Sequence, residues 1–278
     1  MAAGSQANML QPILRDLSPE VMGIVNVTSD SFSGDGHGDA ADEAITHGLA
    51  LFQAGCTLAD VGAVSTRPGA DEVPVDLELA RVLPVVKALS QHGAVSIDTT
   101  SEEVARQAIA AGATWLNDVS GELGELAGEL GASYIGMHRR GTPKTMQQMT
   151  DYDDVVAEVL GAMLVSCRRA KEAGSPRVVG DPGIGFAKTF QQNRVLLKAT
   201  RQMASRLAEE GFELLIGVSR KGFLSEGLSQ RQYPVGERLE QSVAAAVWAM
   251  VNGAKILRVH DGPETVYAAR VVSEEGKQ

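Results

Sequence analysis

Eight short runs rich in Val and Ile, each followed by a longer amphipathic stretch, constrain the fold of this chain more than any other feature. The apolar runs predict strands at 22–27, 58–61, 94–97, 114–117, 133–137, 177–180, 213–218 and 255–259. Between them, apolar residues recur near helical spacing at 40–53, 76–90, 101–111, 123–130, 152–173, 191–210, 237–252 and 263–272. Gly55, Gly112, Gly131, Gly174, Gly211 and Gly253 stand just past expected helix ends, where a left-handed cap favours glycine. Strands that alternate with helices pair in parallel through right-handed crossovers. Eight such units predict closure into a single (β/α)8 TIM barrel, with the active site at the C-terminal face of the strands. An open doubly wound sheet is the competing arrangement, but no Gly-x-Gly-x-x-Gly follows the first strand, which weakens its dinucleotide-binding form. Residues 222–234 are polar, and the pattern assigns them no structure.

A chain of 278 residues suits one barrel, and no linker or low-complexity tract divides it. The expected organisation is an N-terminal extension at 1–18 and a barrel domain at 19–275. Net charge is -10, which argues against nucleic acid or an anionic membrane as a partner. No segment reads as a secretory signal or a membrane span, so a cytoplasmic chain is expected. Cys56 and Cys167 lack metal-ligand spacing and read as lone buried thiols.

Polar residues just past a strand of such a barrel face its active site. Here they recur at every strand: Asn26 and Asp30, Ser65 to Gly69, Asp98 and Thr99, Asn117 and Asp118, Met137 to Arg140, Asp181 to Lys188, Ser219 to Lys221, and Arg258 to Asp261. Single members have a plain alternative. Asp30, Asp118 and Ser101 are at least as well suited to capping, and His37, His47 and His92 to structural or surface positions. Taken together, two carboxylates and a carboxamide (Asp98, Asp181 and Asn117) match the ring and amino N–H donors of a flat heterocycle. Arg67, Lys221, Arg258 and His260 would surround it with positive charge, suiting an anionic substituent such as pyrophosphate. The absence of His-x-His or His-Glu-x-x-His makes a metal site built from His and carboxylates the weaker reading.

Several of these clusters resemble one family in order and spacing. The stretch Met22-Gly-Ile-Val-Asn-Val-Thr-Ser-Asp-Ser-Phe-Ser33 is similar to the first signature of the dihydropteroate synthases, and Ser65-Thr-Arg-Pro-Gly-Ala70 to the second. Ser96-Ile-Asp-Thr99, Leu116-Asn-Asp-Val119, Asp181-Pro-Gly-Ile-Gly-Phe186, Gly217-Val-Ser-Arg-Lys221 and Arg258-Val-His-Asp261 follow in register. The resemblance implies a transferase of folate biosynthesis that condenses 6-hydroxymethyl-7,8-dihydropterin pyrophosphate with p-aminobenzoate. It implies that Asp98, Asn117, Asp181 and Lys221 hold the pterin, with Met137 and Val119 lining the pocket. Asn26 would serve Mg²⁺ and pyrophosphate, and Arg67, Arg258 and His260 the pyrophosphate. Thr66, Pro68, Phe186, Ser219 and Lys221 would form the p-aminobenzoate side. Lys221, Asp98, Asp181 and Arg67 are the expected catalytic set, Mg²⁺ the expected cofactor, a homodimer the expected assembly, and sulfonamides the expected inhibitors. The first two loops, 27–38 and 63–72, would close over the site.

The chain departs from the family pattern at Ala63-Val64, where Gly-Glu is usual, and at Thr100 and Ser101, where an apolar residue and Lys or Arg often stand. It also has Ser29 for Pro, and Gly34-Asp35-Gly36 for Asp-Gly-Gly. These changes bear on loop geometry and turnover and leave the pterin contacts in place. A pterin-binding chain without turnover and a pterin-dependent methyltransferase are the alternatives; Ser65-Thr-Arg-Pro and Ser219-Arg-Lys argue against the latter.

Overall fold

The computed structural model describes residues 19–27, 37–63, 73–225 and 233–273. The expected N-terminal extension lies outside them. Eight strands run β1 (Glu20–Asn26), β2 (Leu58–Gly62), β3 (Ala94–Asp98), β4 (Trp115–Asp118), β5 (Ser133–Met137), β6 (Val178–Asp181), β7 (Glu213–Ile216) and β8 (Ile256–Val259). All neighbouring pairs are parallel, and β8 returns to β1 to close the barrel in chain order. The helices between and after them are α1 (His37–Ala54), α2 (Val75–Leu89), α3 (Glu102–Ala110), α4 (Gly124–Glu129), α5 (Val155–Glu172), α6 (Phe190–Lys198), α7 (Thr200–Ala208), α8 (Leu239–Val251) and α9 (Gly262–Ser273). The closed ring excludes the open sheet.

Strands of a helix-wrapped parallel barrel are buried on both faces, which is why their sequences are nearly continuous apolar runs. Met22, Leu58, Trp115, Ile135, Val179, Leu215 and Ile256 fill the barrel interior. A larger cluster, including Val25, Val61, Val85, Ile97, Leu116 and Leu214, packs the outer strand face against the helices. Seven of these strands therefore carry an apolar plug, and the site is built on it.

The other end of the barrel is closed by Arg177, just before β6. Its Nη2 lies 2.6 Å from Glu20 Oε1 and 2.5 Å from Glu213 Oε2, and its guanidinium carbon lies 5.0 Å from the Trp115 ring centroid. One side chain thus touches the opening residues of β1, β4 and β7.

The six glycines expected at helix ends all take left-handed φ, between 66° and 117°. The single helix expected at 191–210 is two. It breaks at Ala199, where the Thr200 hydroxyl donates to the Leu197 carbonyl at 2.6 Å. A Ser or Thr that bonds a nearby carbonyl offers the backbone an alternative to continued helix. Strand β7 ends at Ile216, two residues before the expected limit, and Gly222–Ser225 forms a 3-10 turn inside the stretch left unassigned. Both cysteines are buried and unpaired, and burial pushes their thiols up to about 11 for Cys56 and about 12 for Cys167. Among the described residues, no helix is long and apolar enough to cross a membrane.

Candidate active site

Successive residues of a strand alternate faces, so residues two apart point the same way. The apolar plug therefore dictates the layer above it. Two residues beyond Leu58, Trp115, Ile135, Val179, Leu215 and Ile256 come Asp60, Asn117, Met137, Asp181, Gly217 and Arg258. Asp98 ends β3 and pairs in register with Asn117. At this level a pocket enclosing about 340 Å³ of atom-free space, open to solvent, is lined by Asp98, Asn117, Val119, Met137, Asp181, Gly183, Ile184, Phe186, Gly217, Lys221 and Arg258.

The floor is an ionic cluster. Arg258 donates from Nε to Asp60 Oδ2 at 2.6 Å and from Nη2 to Asp98 Oδ2 at 2.6 Å. Asn117 Nδ2 donates to the same Asp60 oxygen at 3.0 Å. Burial acts against the Arg258 cation, but the carboxylates of Asp60, Asp98 and Asp181 outweigh it and its pKa is raised. Asp98 is pushed up to about 7, chiefly by burial; Arg258 opposes this, while Asp60, Glu78 and Asp118 add to it. Asp181 is likewise raised by burial, against the Gly183 N–H and the charges of Lys221, Arg258 and Lys188.

One wall is the loop after β6. Gly183 N donates to Asp181 Oδ1 at 2.8 Å, turning the chain back over the carboxylate. Lys188 is buried below this loop, with Nζ 3.1 Å from the Gly183 carbonyl, 2.9 Å from the Phe186 carbonyl and 3.0 Å from His138 Nδ1. The loop presents Phe186 to Lys221, whose Nζ lies 4.4 Å from the ring centroid. Lys221 follows Arg220, which holds a left-handed φ of 58°. That turn is held by Ser242, which accepts from Arg220 N at 2.9 Å, and by Asp261, which pairs with the Arg220 guanidinium.

Asp98, Asn117, Val119, Met137, Asp181, Phe186, Lys221 and Arg258, all expected at the site, meet in this pocket. Three more expected residues stand outside its lining. Asn26 is exposed at the carboxyl end of β1. Ser219 Oγ accepts from the His260 backbone N at 3.1 Å and lies 3.1 Å from its Nδ1. His260 does not bring the positive charge expected of it. Burial, then Arg220 and Arg258, push its pKa down to about 4, so it is a neutral imidazole at pH 7. Arg67, Thr66 and Pro68 lie outside the described residues, as do Asp30, Ser29 and Val64.

The plainer expectations for Asp118 and Ser101 fit the structure. Asp118 accepts from Ser120 N and Leu123 N and from the Tyr134 hydroxyl, and Ser101 caps α3 through Val104 N. The departure at Ser101 is thus a helix cap. Asp60 was not singled out from sequence, and His138 and Lys188 stood only within the runs Met137 to Arg140 and Asp181 to Lys188, with no role of their own. For Asp60 a signal existed: it follows the plug residue Leu58 at the strand spacing of two. Among the described residues, no group of three His, Cys, Asp or Glu side chains is placed to hold a metal ion.

Residues 22–260 match the family described as pterin binding enzyme. The chain is 45% identical to the dihydropteroate synthase of Escherichia coli K12, covering 92% of both chains. It superposes on the dihydropteroate synthase of Xanthomonas albilineans solved with 4-aminobenzoic acid at a TM-score of 0.81, with 40% identity and 92% of each chain covered. The Yersinia pestis dihydropteroate synthase solved with a sulfonamide drug gives a TM-score of 0.82 and 39% identity, covering 92% of this chain and 94% of that one. With a closed parallel barrel, an acidic and amide floor and this extent of similarity, the chain belongs to the dihydropteroate synthases, within the pterin-binding enzymes.

Proposed function

We propose that this chain joins 6-hydroxymethyl-7,8-dihydropterin pyrophosphate to p-aminobenzoate, giving 7,8-dihydropteroate and pyrophosphate. The observation that carries the reading is the convergence of Asp98, Asn117, Asp181, Lys221 and Arg258 in one pocket at the carboxyl ends of the strands. The acceptors of Asp98, Asn117 and Asp181 suit the amino and ring N–H donors of a pterin. The apolar lining from Met137, Val119 and Ile184 suits its faces.

The methylene C–O bond breaks first and pyrophosphate leaves with the electron pair. The amine of p-aminobenzoate then forms the C–N bond and loses a proton to solvent. Asp98 and Asp181 favour the developing pterin cation by proximity, and preorganised charge of this kind requires no rearrangement as the bond breaks. An aromatic amine is neutral at pH 7, so the neutral His260 need not act as a strong base. Phe186 and Lys221 form the side that receives p-aminobenzoate, with Ser219, Thr66 and Pro68. Arg67, Arg258 and Asn26 serve the leaving group.

Mg²⁺ usually binds through one or two protein oxygens, with the remaining positions filled by substrate phosphates and water. A single exposed carboxamide at Asn26 fits that pattern, and the ion would neutralise charge on the departing pyrophosphate. A cytoplasmic homodimer completes the proposal. Exposed Phe190 and Val195 on α6 and exposed Trp248 on α8, whose indole N–H donates to the Leu197 carbonyl, support a subunit contact on this side. Sulfonamides, which mimic p-aminobenzoate, should compete at the Phe186 side.

The test is pyrophosphate release with both substrates present, beside calorimetry of the pterin pyrophosphate with and without Mg²⁺. Wild-type protein should sustain pyrophosphate release over many turnovers only with both substrates, and Asp181→Ala should abolish pterin binding. Pterin binding without release, or near-normal turnover of Asp181→Ala, would overturn the reading.

A further inference from the structure

We infer that Asp60 is a positioning residue of the pterin pocket, one carboxylate oxygen fixing both the Arg258 cation and the Asn117 amide. This rests on the synthase reading above and names a group it leaves out.

Asp60 lies in β2, which is buried along its whole length, and its side chain has no exposed surface. It is absent from the pocket lining, so it acts on a ligand only through its neighbours. Its Oδ2 accepts from Arg258 Nε at 2.6 Å and from Asn117 Nδ2 at 3.0 Å, joining β2 to β4 and β8 across the barrel. Among the described residues, Oδ1 has no hydrogen-bond partner. Both contacts therefore depend on a single atom.

The other carboxylate on Arg258 differs in kind. Asp98 lines the pocket, and its Oδ2 is the atom that Arg258 Nη2 occupies at 2.6 Å. A ring N–H binding Asp98 shares the carboxylate with that contact. Asp60 cannot be reached by the ring and keeps hold of Nε. It anchors Arg258 while Asp98 is shared with the ligand, and it orients the Asn117 oxygen by holding its nitrogen. A buried guanidinium that loses one of two carboxylates is left with Asp98 alone, and this cost falls on the state in which Asp98 is also engaged by substrate.

The charge of Asp60 also reaches Asp98. The charged groups that face Asp98 are Arg258 from β8, Asp60 from β2, Glu78 from α2 and Asp118 from β4, and the three carboxylates all favour its protonation. Neutralising Asp60 removes one of them and leaves Arg258 to Asp98, and both changes favour the ionised form.

The experiment is steady-state kinetics of Asp60→Asn against wild type, with KM for each substrate and a pH profile. The expected result is a KM for the pterin pyrophosphate raised at least about tenfold, as loss of a buried anchor implies, with KM for p-aminobenzoate within about threefold. The acid limb of kcat/KM should move to lower pH, a change that a merely structural role would not produce. If Asp60→Asn does not fold, Asp60→Glu keeps the charge and displaces it by one methylene, and should still raise the pterin KM selectively. An unchanged pterin KM, an equal rise in both KM values, or an unmoved acid limb in folded protein would overturn the inference. Inactive wild-type protein would refute the synthase reading instead.

Discussion

Lys188 and His138 meet beneath the active-site wall, with Nζ 3.0 Å from Nδ1 and both side chains buried. The contact is compatible with either protonation state of the lysine. As an ammonium it donates to His138 Nδ1 and to the Gly183 and Phe186 carbonyls. As a neutral amine it donates to the two carbonyls and accepts from His138 N–H. His138 is itself neutral, its pKa pushed down to about 3 by burial and then by the charges of Lys188 and Arg140.

Burial pushes Lys188 down from 10.5 to about 7, with Asp181 opposing and Lys221 and Arg140 assisting. Above about 7 the folded chain has released this proton, while the unfolded chain holds it up to 10.5. The unfolded state binds more protons across that window, so the contribution of Lys188 to stability rises with pH there and is lost as pH falls toward 7. The limiting slope is roughly 1.4 kcal/mol per pH unit. Urea unfolding of wild type and Lys188→Met from pH 7 to 10 should give a stability difference that shifts steadily in favour of wild type. A difference independent of pH would refute the assignment.

Asp98 governs a second pH dependence. Its carboxyl sits at about 7, and the proposed contact with pterin N–H groups uses the ionised form. Affinity for the pterin substrate should therefore rise as pH increases from 6 to 8. Calorimetry across that range should show the change in wild type and a flat profile in Asp98→Asn, whose overall affinity should be lower by about tenfold or more, as for a lost charged hydrogen bond. A pH-dependent profile surviving in Asp98→Asn would assign the titration elsewhere.

Gly183 provides a steric test. Its φ is 62°, and a Cβ placed on it would lie 2.0 Å from the His138 carbonyl oxygen. Both facts exclude a side chain without movement of the loop that folds over Asp181. Gly183→Ala should lose about 1–3 kcal/mol of stability and raise the pterin KM, read by thermal unfolding and kinetics. An unchanged Tm together with an unchanged KM would show that the loop is free to adapt.

The barrel was legible because two periodicities alternate along the whole chain, and because its helices end at glycine where the backbone needs φ above zero. Ala199 was not, since a run that stays apolar at helical spacing hides a break made by one Thr hydroxyl. Much of the site was legible from residue type at strand ends: Asp98, Asn117, Asp181, Lys221 and Arg258 converge as expected. Asp60 escaped because it lies inside a strand, where a polar residue has no turn to mark it. Only the inward layer, counted two residues beyond Leu58, reveals it. Charge states were hidden for another reason. The neutrality of His260 depends on burial beside Arg220 and Arg258, which come together only in the folded barrel.

Arg177 ties the opening residues of β1, β4 and β7 at the end of the barrel far from substrate. Closure of the ring and recognition of the ligand are thereby assigned to opposite poles of one cylinder, separated by a stack of apolar side chains. The upper rim is left room to diverge in sequence, as at Ser101, without the cylinder opening beneath it.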